Sequence, residues 1–162
     1  MTQDWIVIPC AAAVIASAMS AGLFYTFSDF QIRAMRLATL SAGVEVMQNI
    51  NREIMRSGTI VVLWGSLALS VLLGLYAVLV LSGPAVLPLS LGAALFILGV
   101  WGVSVAFNIP MNMRLAGLEH TSTKAAAYWA VYVSRWNFWN HVRSATAILA
   151  AICFLIGGLM LA

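Results

Sequence analysis

Trp136, Asn137, Phe138, Trp139, Asn140, His141, Val142 and Arg143 follow one another directly before the last apolar run of the chain. The octet supplies indole rings that stack on flat molecules and amides and a guanidinium that donate hydrogen bonds. It also holds an imidazole, the side chain that ordinarily exchanges a proton near neutral pH. Nowhere else in the sequence are groups able to stack, hydrogen-bond and move a proton so concentrated. Two further patches repeat the asparagine theme: Gln48-Asn49-Ile50-Asn51-Arg52 and Asn108-Ile109-Pro110-Met111-Asn112. Each group also has an ordinary reading. Trp136 and Trp139 suit an interfacial aromatic belt, Arg143 can snorkel toward headgroups, and Asn108 and Asn112 can satisfy backbone groups at a helix end.

Composition places these residues in a membrane. Of the 162 residues 63% are hydrophobic and only 8% charged, and the mean hydropathy is +1.00. A soluble domain carries about 25% charge. The net charge of +3 is too small and scattered for a nucleic-acid partner. The start, Met1-Thr2-Gln3-Asp4-Trp5, lacks the basic residues of a cleavable signal, so the first run is expected to remain as a membrane helix. Cys10 and Cys153 form no Cys-x-x-Cys pair and are expected as buried free thiols.

Four runs reach the roughly 20 apolar residues that a crossing needs: about residues 5–27, 59–81, 86–107 and 142–161. Ala13, Ser17 and Ala21 make a small-residue stripe on the first, where another helix can pack closely. Seven of the eight Lys and Arg fall in the two connecting segments, about 28–58 and 108–141, and the eighth, Arg143, stands at the very start of the fourth run. Both segments lie on one side of a four-crossing chain, which the positive-inside tendency makes cytoplasmic, with both termini outside. The expected class is therefore an all-α integral membrane protein, a bundle of four transmembrane helices in a single membrane domain over residues 1–162. The plasma membrane, or a bacterial inner membrane, is its expected place, and homo-oligomerisation is left open.

Neither basic segment reads as a loop. Leu37, Leu40, Val44, Met47 and Ile54 recur at helical steps, while Glu45, Asn49, Arg52 and Arg56 line the opposite, polar face. Pro110 is expected to end or kink the third helix. Thr121, Ser122 and Thr123 offer caps for a helix running unbroken into the fourth crossing. On that helix Ser134, Asn137, His141 and Ser144 share one face, and Trp129, Val133, Trp136, Asn140 and Arg143 share the next. Tyr128, Tyr132, Arg135 and Trp139 share a third. Lipid does not tolerate polar groups pointing in so many directions. The region is therefore expected to pack against the amphipathic segment and the Asn108–Asn112 turn around a polar, aromatic-walled pocket.

Metal and transport readings gain little. His120 and His141 are the only histidines, and neither has a partner at ligand spacing. The carboxylates Asp4, Asp29, Glu45, Glu53 and Glu119 form no convergent set. Two histidines can ligate one haem, but no local motif supports it. No crossing has a charge well inside it or a break at its middle, as transporters do.

Taken in order, Asn-x-Pro-x-Asn at 108–112 and Trp-x-x-Trp-Asn-His-x-Arg at 136–143 resemble motifs of the anthrone oxygenase-like family of small membrane proteins. Gly22-Leu23-Phe24-Tyr25-Thr26-Phe27-Ser28 and Met47-Gln48-Asn49-Ile50-Asn51-Arg52 are similar to that family's N-terminal motifs in order and spacing. One departure stands out: the family often has Met-Pro after the first motif, where this chain has Ile32-Arg33 and Met35-Arg36. The resemblance implies oxidation of a hydrophobic aromatic substrate, an anthrone, to a quinone with O2 and no cofactor, although many members have no assigned role. It implies His141 as base, with Asn140, Asn108, Asn112 and Arg143 as donors to the enolate oxygen. Trp136 and Trp139 are then flat walls, and Asn137, Asn49 and Asn51 further substrate contacts. Two other functions fit the same residues: a non-enzymatic protein binding a lipid, quinone or partner protein, and a haem- or metal-dependent redox protein.

Overall fold

The computed structural model describes residues 4–162. Met1, Thr2 and Gln3, on which the reading of the N-terminus rests, lie outside the described residues. Four helices are long and apolar enough to cross a membrane: α1 (Val7–Leu37), α3 (Gly58–Leu79), α4 (Val86–Ala116) and α5 (Thr123–Leu159). Between α1 and α3 lies the shorter α2 (Leu40–Glu53). The chain is an all-α membrane protein. Side chains such as Ile8, Leu79, Leu98 and Leu159 cover the outside of the bundle, as lipid contact requires. Cys10 and Cys153 are both free.

Helices α1 and α5 form the most extensive pairing, and the stripe Ala13, Ser17 and Ala21 is buried. Small side chains let two backbones approach closely enough for van der Waals contact to hold them, which matters where lipid removes the hydrophobic drive between helices. The core continues through Leu73, Leu89, Phe96 and Phe154. A second core sits at the basic end of the bundle, where Val44 and Met47 of α2 meet Met35, Leu115, Trp129 and Tyr132.

Helix α2 is amphipathic, but the predicted apolar stripe is only partly buried: Leu37 belongs to α1 and is 89% exposed, Leu40 is 44% exposed, and Ile54 lies past the helix end. Val44 and Met47 are buried, whereas Glu45, Asn49 and Arg52 are exposed. It lies close against its neighbours: a Cβ at Gly43 would stand 2.6 Å from the Met35 carbonyl oxygen and 3.2 Å from the Trp129 ring. Gln48 fastens its other end, donating from Nε2 to the carbonyls of Leu115 and Leu118, both at 2.8 Å. Leu115 lies in the last turn of α4 and Leu118 just beyond it, so Gln48 ties α2 to the end of that helix.

Two expectations about helix ends need correction. Helix α1 does not stop near Phe27 but continues to Leu37, through a π-helical segment at Phe27–Gln31. Helix α4 does not end at Pro110. It passes through π-helical segments at Leu95–Gly102 and Ser104–Asn108 and continues as α-helix over Ile109–Ala116. Pro110 falls in the first turn after the π-helical turn, where a helix already departs from the i→i−4 ladder that proline would break. Helix α5 behaves as expected: the Ser122 side chain caps it by accepting from the Ala125 amide at 3.1 Å, and it runs unbroken to Leu159.

Candidate active site

The two π-helical turns at Phe27–Gln31 and Ser104–Asn108 flank the middle of α5. A π turn holds one extra residue per hydrogen-bonded ring, which shifts the register of its side chains, and such turns are frequent at functional sites. Here they bring Ser28, Ser104 and Asn108, all buried, against the face of α5 that carries Trp136, Asn140 and Arg143.

Asn140 is the hub. It has no exposed surface, and its Nδ2 donates to the Phe24 carbonyl and to Ser28 Oγ, both at 2.6 Å. Its Oδ1 accepts from an Nη of Arg143. The other Nη of Arg143 donates to Ser104 Oγ at 3.2 Å. The guanidinium also lies over the Phe24 ring, 4.3 Å from its centroid, and 5.4 Å from that of Trp136. Asn108 Nδ2 donates to the Trp136 carbonyl at 3.2 Å.

Among the described residues no carboxylate pairs with Arg143. The two ion pairs among the described residues are Arg33–Asp29 and His120–Glu119, and Arg143 is only 9% exposed. Buried charges are ordinarily paired, so the contacts with Ser104, Asn140 and two aromatic faces are what hold this cation. Arg143 Nε, Trp136 Nε1 and Asn137 Oδ1 on α5 and Asn108 Oδ1 on α4 have no hydrogen-bond partner, as have Ser17 Oγ, Asn51 Nδ2, Ser90 Oγ and Trp101 Nε1 elsewhere. Most buried polar groups do find partners.

Aromatic rings continue the site toward the basic end. Trp136 stacks with Tyr132 and Tyr132 with Trp129, at centroid distances of 5.9 and 5.5 Å, and Phe27 meets Trp136 edge-on at 6.0 Å. The Tyr132 hydroxyl donates to Asn112 Oδ1 at 2.7 Å. Asn51 is half-buried, with Nδ2 unpartnered.

The structure thus divides the residues chosen from sequence. Asn108, Asn140, Arg143 and Trp136 come together, and Asn112 joins them through Tyr132. Trp139 is half-buried and stacks on Phe107 at 3.7 Å, one turn before Arg143 on α5. Asn49 is exposed on the polar face of α2. His141 is exposed too, its Nε2 standing 3.5 Å from Asn137 Nδ2. At about 100° per residue, His141 points roughly 200° around α5 from Arg143, so one small molecule in contact with the guanidinium does not also meet the imidazole. Asn137 connects the two sides: its Nδ2 donates to the Ser28 carbonyl at 3.5 Å, and Ser28 Oγ belongs to the Asn140 network.

Sequence reading missed Phe24, Ser28, Ser104 and Tyr132 as parts of the site. Ser28 closes the Gly22–Ser28 motif, and Ser104 lies one turn before Asn108, which were the available signals. Among the described residues no group of three or more His, Cys, Asp or Glu is placed to hold a metal ion.

On the Asn137 side an open groove of about 610 Å³ separates the last turns of α1 from α5. Ile32, Arg33, Arg36, Trp129, Ser134 and Asn137 are among its lining residues.

Comparison with known proteins gives one match. A family model described as Anthrone oxygenase matches residues 52–153, more than half of the chain. The match takes in α3, α4 and most of α5, and therefore Ser104, Asn108, Trp136, Asn140 and Arg143. The motifs at 22–28 and 47–51 precede it. No curated protein and no solved structure gives a significant match. The chain belongs to the anthrone oxygenase family.

Proposed function

We propose that the protein oxidises a hydrophobic aromatic substrate of the anthrone type with O2 at the Arg143 site. One observation carries this reading: the open hydrogen-bonding capacity around Arg143 complements a phenolic enolate. Arg143 Nε and Trp136 Nε1 are unpartnered donors, and Asn108, whose Nδ2 bonds the Trp136 carbonyl, keeps an unpartnered acceptor in Oδ1. An enolate oxygen takes the donors, and a neighbouring phenolic hydroxyl donates to Asn108. The unpaired guanidinium supplies the counter-charge that a buried anion needs. Trp136, Phe27 and Phe24 supply flat apolar faces.

The chemistry balances without a resident cofactor. The acidic CH2 of the anthrone loses a proton, and the resulting enolate passes one electron to O2. The carbon radical and superoxide combine into a peroxide, which loses water to leave a carbonyl. One O2 is consumed, one oxygen atom enters the quinone and the other leaves in water, all four electrons coming from the substrate carbon. Arg143 favours the first two steps because both the enolate and superoxide are anions. Because the polar atoms are buried, the substrate reaches them only as side chains around Trp136 move aside.

In this account the proton leaves toward the exposed rim. Water at that rim takes it first, and His141, which does not meet the substrate, accepts it from the water. His141→Ala is accordingly expected to retain O2 uptake within about threefold of the parent, since water takes over from a single rim acid–base group normally worth ~10²-fold or more. Oxygen-electrode traces of purified protein with an anthrone, corrected for spontaneous oxidation, check this. Loss of all uptake in a folded His141→Ala protein would return the imidazole to the centre of the reaction.

A further inference from the structure

We propose that the groove between the last turns of α1 and α5 is a binding site for a flat aromatic molecule carrying an anionic substituent, such as an aromatic carboxylate. It names the substrate class for the oxygenase proposed above and to that extent rests on that reading. Binding in the groove, however, requires neither Arg143 nor turnover.

The two halves of the ligand follow from the two kinds of lining. At about 610 Å³ the groove is within the ordinary range for small-molecule sites, ~300–1,000 Å³. Trp129, Ile32 and Leu40 form an apolar side. Trp129 is held rigid by stacking on Tyr132, with ring planes 10° apart, and by the close approach of α2 at Gly43. Trp129 is 6% exposed, so it offers the groove a fixed strip of its indole, and a flat ring meets that strip together with the exposed Leu40.

The α1 rim is cationic. Arg33 and Arg36 both line the groove and, three residues apart on one helix, are neighbours. Arg33 shares its charge with Asp29 at 3.2 Å, while Arg36 has no carboxylate partner among the described residues. Ser134 and Asn137 add polar groups between the rim and the wall. A guanidinium fork matches a carboxylate in both shape and charge.

Position ties the groove to the reaction site. Asn137 lines it and bonds the Ser28 carbonyl, and Ser28 Oγ is a partner of Asn140. A molecule in the groove therefore lies one residue layer from the Arg143 cluster, with its anionic group held back at the rim.

Binding of anthraquinone-2-carboxylate and of neutral anthraquinone, neither of which can be oxidised further at the ring carbons, tests this without turnover. Tryptophan quenching is followed in phosphatidylcholine nanodiscs for the parent protein and its variants. We expect Arg33→Gln/Arg36→Gln to weaken the carboxylate about tenfold and the neutral quinone less than twofold. Ala130→Trp, which fills the groove from α5, should weaken both. Arg52→Gln, which removes an exposed arginine outside the groove, should bind both probes as the parent does. Equal binding of the two probes by the parent, or carboxylate binding lost in Arg143→Gln and kept in the double variant, would overturn it. So would displacement of the carboxylate by phosphatidylglycerol added to the nanodiscs, which would make the groove a lipid-headgroup site.

Discussion

Arg143→Gln is expected to lower kcat for anthrone oxidation by about 10²–10³, the range seen when one preorganised donor to a developing oxyanion is removed. The argument is electrostatic. Arg143 is buried, pairs with no carboxylate among the described residues and keeps Nε free of any partner, so its charge is available to an anion. Glutamine retains some hydrogen bonding and loses the cation. Stability should change little, because an unpaired buried charge costs folding energy and removing it relieves that cost. Arg143→Lys keeps the charge without the fork that reaches both Asn140 and Ser104, and should fall between parent and Gln variant. Initial rates of quinone formation, with helical content checked by circular dichroism, decide the matter. An Arg143→Gln enzyme that turns over at the parental rate would remove the guanidinium from the mechanism.

Asn140→Leu should strike both stability and activity. Leucine fits the volume but strips the Phe24 carbonyl and Ser28 Oγ of their donor and Arg143 of its acceptor. Interhelical hydrogen bonds in membranes average only about 0.6 kcal/mol each, so the two bonds to α1 account for little over 1 kcal/mol. The bond from the guanidinium is charged and worth about 1.5–3 kcal/mol, and it dominates. A loss of about 3 kcal/mol in reversible unfolding from mixed micelles is expected, with activity falling at least as far as in Arg143→Gln. A variant as stable as the parent would mean that water replaces the amide and that the site is wetter than its burial indicates.

Much of this architecture was legible in the sequence because helical periodicity sorts residues by face. The stripe Trp129, Val133, Trp136, Asn140 and Arg143 is buried as a set, and the polar stripe Glu45, Asn49 and Arg52 faces outward. Ser122 was readable as a cap from the lack of breakers after it. The third stripe failed: Tyr128 and Tyr132 are buried while Arg135 is exposed, because α2 and the end of α4 cover only part of that face.

The π turns were not legible. No residue type marks an i→i+5 ring, so nothing in Phe27–Gln31 or Ser104–Asn108 announced the register shift that turns Ser28 and Ser104 inward. His141 was hard to place for a related reason. Its neighbour Asn140 is wholly buried, yet one residue along a helix is a rotation of about 100°, enough to carry the imidazole out of the site. Proximity in sequence, which singled out the octet, is a poor guide to which of its members share a ligand.

The most direct test of the account is anthrone oxidation by the purified protein under ¹⁸O2. The account predicts one O2 consumed per anthrone, one labelled oxygen in the new quinone carbonyl and no accumulation of hydrogen peroxide. Unlabelled quinone accompanied by stoichiometric peroxide would make the protein an oxidase that releases reduced oxygen, and would contradict oxygenation at the Arg143 site.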